Sequence, residues 1–101
     1  MQAMLRQAQK MQEEVAAKQE ELDAREYDIS AGGGAVQLKI NGKKEILSIE
    51  IDPEIVDPDD VETLQDILVA GVNEAIKRVE KTNNDEIQAI TGMAGGFPEL
   101  M

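Results

Sequence analysis

The sequence predicts an α+β fold: a long N-terminal helix, a three-stranded antiparallel sheet with a central hairpin, and a long C-terminal helix. Three observations predict it. Val36, Leu38 and Ile40 alternate with polar residues, as do Leu47, Ile49 and Ile51, and Asn41-Gly42 lies between the two runs. Residues 3–25 contain no Gly and no Pro. From Val61 to Val79 apolar residues recur every three or four positions. A period of two places alternate side chains on one face of a strand, and a period near 3.6 places them on one stripe of a helix.

The first helix is expected over residues 3–25, where Gln, Glu, Ala, Met and Lys dominate and Val15 is the one β-branched residue. Met4, Ala8, Met11, Val15, Lys18 and Leu22 step by four and three, a narrow seam of coiled-coil type. Such a stripe is too thin for a full core face. The helix, roughly 35 Å long, therefore projects or pairs with another helix.

Glu26 to Ser30 form the first strand, with Tyr27 and Ile29 inward. Gly32-Gly33-Gly34 then reads as a turn, a bulge or a close backbone approach. No GxGxxG or GxxxxGK[ST] pattern is present, and no helix follows directly, so a phosphate-cradling loop is disfavoured. The Asn41-Gly42 pair is a hairpin signal because both residues tolerate positive φ. With a loop over Asn41 to Lys44, Leu38 faces Leu47 and Val36 faces Ile49, and Ile46 falls on the polar side.

Asp52-Pro53 ends the last strand. Asp57-Pro58-Asp59-Asp60 reads as a helix start, with Asp57 as N-cap and Pro58 at the first helical position. Those acids lack the spacing and the glycine of a calcium loop, so no metal is expected. Val61, Leu64, Leu68, Val72, Ile76 and Val79 form a broad apolar stripe. Gly71 weakens the helix by about 1 kcal/mol against Ala or permits close packing. The helix is expected to run to about Thr91, with Gly92 as its stop. One domain over residues 1–92 and a flexible tail over 93–101 follow.

Composition narrows the function. Cys and His are absent, which removes thiolate nucleophiles, disulfides, the usual zinc ligands and the physiological-pH acid/base residue. No apolar run approaches the ~20 residues needed to cross a bilayer, and the N-terminus does not read as a signal peptide. The core is aliphatic and small, so self-association is expected. Net charge is −11, unevenly spread: residues 50–66 hold eight acids and no base, whereas residues 1–49 are net −1. Other surfaces are thereby left near neutral or locally basic.

Several strings in this order carry a resemblance. Gln7-Ala8-Gln9-Lys10-Met11-Gln12, Ile40-Asn41-Gly42, Ile51-Asp52-Pro53, Leu64 with Asp66, and Asn73-Glu74-Ala75 resemble landmarks of the YbaB/EbfC family of bacterial nucleoid-associated proteins. The likeness spans roughly residues 4–92. The chain departs from the family in its acidity, its triple glycine and Gly71. The resemblance implies a cytoplasmic, nucleoid-associated homodimer with a layered helix/sheet core. It implies long projecting helices and a duplex DNA partner, with no membrane, no small-molecule substrate, no cofactor and no catalytic residue.

The candidate DNA-binding residues are Arg6 and Lys10 on the first helix, with Lys77, Arg78 and Lys81 on the second. Lys77 and Lys81 share a face, and Glu74 is placed to pair with Arg78. No aromatic residues interleave with the bases, so contact with the phosphate backbone is expected rather than stacking. The bland reading of every one of these bases is a solvated helix face. Met4, Ala8, Met11, Val15, Val36 and Leu38 are the candidate dimer interface. A second reading, a dimeric protein-binding or chaperone-like module, uses the Met-rich seam to grip varied partners. An enzyme is disfavoured, because capping and solvation account for the carboxylates.

Overall fold

The computed structural model describes residues 2–95, and their side chains through Gly92. Its order is α1 (Gln2–Ala24), β1 (Glu26–Ala31), β2 (Val36–Asn41), β3 (Ile46–Ile51) and α2 (Val61–Gly95). The strands form one antiparallel sheet with β2 in the middle, as the alternation predicts. Residues 96–101, most of the expected tail, lie outside the described residues.

The core sits between the sheet and α2. Ile29 of β1 and Val36, Leu38 and Ile40 of β2 are buried against Ala75 and Val79. Gly71 is what lets the helix lie this close. A Cβ there would press on Leu38 Cδ1 at 2.9 Å and on the Ala31 methyl at 3.1 Å. Gly32, Gly33 and Gly34 all have positive φ, which compresses the β1–β2 connection into one tight turn beneath Ile67.

The hairpin register differs from the expected one by two residues. Leu38 pairs with Ile49 and Val36 with Ile51, whereas Ile40 pairs with Ile46. Leu47 is the extra residue of a bulge between those pairings, so Ile46 takes the side expected for Leu47. The loop explains the shift. Asn41 N–H donates to the Glu45 carbonyl, and the Asn41 side chain accepts from Lys43 N–H and Glu45 N–H. The loop is therefore one residue longer than expected. Its left-handed residue is Lys44, at φ 67°, and not Asn41 or Gly42.

Helix α2 also starts later than expected. Asp57 makes a turn, accepting from Asp59 N–H through its carboxylate and from Asp60 N–H through its carbonyl. Pro58 sits inside that turn. Asp60 is the true cap, accepting from the Thr63 N–H and, at 2.7 Å, from its hydroxyl. At the other end the helix passes Gly92 and ends at Gly95. A lone glycine costs only about 1 kcal/mol in a helix, too little to terminate one.

Candidate nucleic-acid interface

Helix α1 leaves the body as an arm, and Gly42 is where it is fastened. Gly42 N–H donates to the Arg25 carbonyl at 2.9 Å, and Asn83 Nδ2 of α2 donates to the Gly42 carbonyl at 3.2 Å. A Cβ on Gly42 would overlap the Leu22 carbonyl. The glycine is required for close approach of two backbones, not for a special φ.

Ion pairs close the same joint. Arg25 Nη1 reaches Glu86 Oε2 at 2.7 Å and Arg25 Nη2 reaches Glu21 at 2.6 Å, while Lys18 bridges Glu86 at 3.2 Å and Glu21 at 3.3 Å. The Arg25 hydrogen bonds, then that of Lys18, pull the Glu86 carboxyl down to about 2. Hydrogen bonds from Arg25, then Lys18, lower Glu21 as well. The same contacts, Glu86 first, raise Arg25 and Lys18.

These contacts set the direction of the arm. Leu22 lies at Gly42, which Asn83 holds. Lys18, one turn earlier in α1, reaches Glu86, one turn later in α2. The helices are therefore antiparallel, and the start of α1 points the way α2 ends. Met11 and Val15 are half-buried, as are Ile87 and Ile90 of α2. Residues 2–10 are exposed, and the molecule reaches 69 Å in its longest dimension. Helix α2 alone is about 52 Å.

Arg6 and Lys10 stand on this exposed stretch and make no ion pair among the described residues. The acidic run lies at the other end. It closes over the start of α2, and from Asp60 to Glu86 the helix rises about 39 Å. That is several times the ~8 Å screening length at physiological salt, so the belt acts only weakly on the arm cations.

The sequence matches the YbaB/EbfC DNA-binding family over residues 1–94. The chain belongs to that family. It is 52% identical to nucleoid-associated protein NT01CX_0824 of Clostridium novyi over 88% of this chain and 78% of that protein. It is 50% identical to a nucleoid-associated protein of Acetivibrio thermocellus, over 96% of this chain and 86% of that one. The crystal structure of the uncharacterized protein HP0035 from Helicobacter pylori superposes with a TM-score of 0.71 at 25% identity. That match covers 84% of this chain and 89% of the other.

The basic residues expected from the sequence fall in two places. Besides the arm pair, Lys77, Arg78 and Lys81 line a shallow groove of about 410 Å³ along α2 with Glu74, Thr82 and Asp85. Lys81 is held by Asp85 at 2.9 Å, and the expected Glu74–Arg78 pair does not form. Lys77 and Arg78 are exposed and, among the described residues, outside any ion pair. So is Lys43 at the hairpin tip.

The candidate dimer residues divide differently. Met11 and Val15 pack within the chain, Met4 and Ala8 are exposed, and Val36 and Leu38 are sealed in the core. A residue already buried in one chain has no area to offer a second copy, so Val36 and Leu38 are corrected out of the interface. The open apolar surface lies elsewhere. Helix α2 covers β1 and β2 and leaves β3 bare, with Ile46, Leu47 and Ile49 exposed. Lys44 pairs with Glu80, so the flank of α2 that bears Glu80 faces β3. Ile76, Val72 and Val69 occupy the same flank, one, two and three turns earlier. No helix among the described residues is long and apolar enough to cross a membrane.

Proposed function

We propose that this chain is a nucleoid DNA-binding protein of the cytoplasm that grips duplex DNA through its phosphate backbone as a homodimer, with Arg6 and Lys10 on the arms as the principal contacts. One observation carries the reading. An acidic chain keeps two exposed cations, unpaired among the described residues, on a projecting helix, at the end remote from its acidic run. The family match and the names of the relatives support the same partner. Duplex affinity comes chiefly from cations displacing condensed counterions. Lys77 and Arg78 are a second, weaker contact, because Glu74 and Asp85 flank them.

Self-association is supported by the shape of the open surface. One strand of the three lacks a helix, and on the flank of α2 that bears Glu80, Val69 is exposed. A two-fold contact that lays each copy's α2 flank on the other's β3 satisfies both at once. Pairing doubles Arg6 and Lys10 to four cations, for which log affinity against log salt falls with a slope of roughly −3.5. No residue is assigned a catalytic role.

Fluorescence anisotropy with a short labelled duplex, at low and at physiological salt, tests the reading. Arg6→Glu with Lys10→Glu is expected to abolish binding at both salts and leave the melting temperature nearly unchanged. Undiminished binding by the double variant places the site elsewhere, and no binding by the parent chain at low salt removes DNA as the partner.

A further inference from the structure

We propose that self-association and DNA binding in this protein respond to salt in opposite directions, because residues 50–66, which run from the end of β3 into the start of α2 beside the face offered to a second copy, carry eight carboxylates and no base. The inference rests on the self-association reading above. Glu50, Asp52, Glu54, Asp57, Asp59, Asp60, Glu62 and Asp66 are interleaved with Ile51, Ile55, Val56, Val61 and Leu64. Every one of these acids is exposed, and none makes an ion pair among the described residues. Val56 and Val61 are at least half exposed among them, at 52% and 50%. The apolar surface and the charge therefore cannot be brought to a partner separately.

A contact between two copies brings two such runs, each of eight acids and no base, into one assembly. Nothing within residues 50–66 neutralises the run, and two lysines of the sheet and hairpin are already engaged. Lys39 bridges Glu26 and Asp28 on the sheet, and Lys44 is held by Glu80 at 3.2 Å. Pairing two copies doubles this charge beside the apolar contact. At about 0.01 M salt the screening length is ~30 Å and the two runs repel; above 0.1 M it is under ~10 Å and the apolar contact prevails. Added salt thus tightens the pair while it weakens each phosphate contact.

Sedimentation equilibrium of the full chain, in about 0.02 M and about 0.3 M NaCl, reads the effect. The dimer dissociation constant is expected to fall at least about tenfold at the higher salt, as screening shortens. A combined Glu50→Gln, Glu54→Gln, Glu62→Gln and Asp66→Asn variant separates screening from salting-out of apolar surface. None of the four side chains makes a hydrogen bond among the described residues. It is expected to pair tightly at low salt with little response to added NaCl. A dissociation constant that is constant or rises with salt overturns the inference alone, as does a variant that keeps the full response. A monomer at every salt and concentration overturns the self-association reading with it. If the variant does not fold, the salt series on the parent chain still decides between these outcomes.

Discussion

The two halves of the sheet carry nearly the same sequence pattern and meet different fates. Val36, Leu38 and Ile40 alternate with polar residues under α2 and are sealed, Leu38 to 2% exposure. Ile49, on the same side of the sheet and directly opposite Leu38, is 44% exposed. Alternation specifies which way a side chain points, and not what lies on top of it. Coverage is decided by where the helix comes to rest, and Gly71 seats α2 over Ala31 and Leu38 rather than over β3.

That contrast can be broken, beginning with the largest effect. Gly42→Ala drives a methyl into the Leu22 carbonyl, and neither backbone can yield without losing the Arg25 and Asn83 hydrogen bonds. It is expected to cost more than about 4 kcal/mol, seen as loss of the cooperative melting transition. The closed and open halves are compared directly by urea unfolding at protein concentrations too low for self-association. Leu38→Ala is expected to cost about 3 kcal/mol through the cavity it leaves. Ile49→Ala, facing water, is expected to cost under about 1 kcal/mol. Equal losses would mean that β3 is covered within the single chain.

The smallest effect concerns the arm. Glu86 is lowered from its ordinary value to about 2 by Arg25 and Lys18. A depressed carboxyl contributes stability that is present above its unfolded value and lost as pH falls toward its folded one. The arm joint is therefore expected to keep full strength at pH 7 and to weaken between about pH 4.5 and pH 2. Hydrogen exchange across residues 11–24 reads this. Glu86→Gln is expected to raise exchange there at pH 7 and to flatten the acid response. An unchanged pattern in that variant would mean that the ion pairs do not hold the arm.

Local chemistry made the elements legible. The composition of residues 3–25 placed α1 within a residue at each end, and alternation identified the strands. Where two local signals competed, the reading slipped. Asp57 and Asp60 are both good caps, and only the turn through Pro58 decides between them. Asn41 set the hairpin, but its side chain organised a loop one residue longer than the expected Asn41 to Lys44. The exposure of Arg6 and Lys10 was legible from their charge, although the apolar residues around them, Met4 and Leu5, are exposed as well. The Arg25–Glu86 pair was not, because its partners are 61 positions apart and meet only through the fold. The same is true of Gly42, whose neighbour is a carbonyl twenty residues earlier rather than its own turn.

The fastening at Gly42 has a mechanical consequence. Main chain rests on main chain there, with no side-chain layer between to act as a cushion. A rod of roughly 35 Å magnifies any play at its root, about 0.6 Å at the far end for each degree. Without a soft bearing, α1 behaves as a stiff pointer, and in the proposed pair the gap between two such pointers would be a gauge set by the body that carries them.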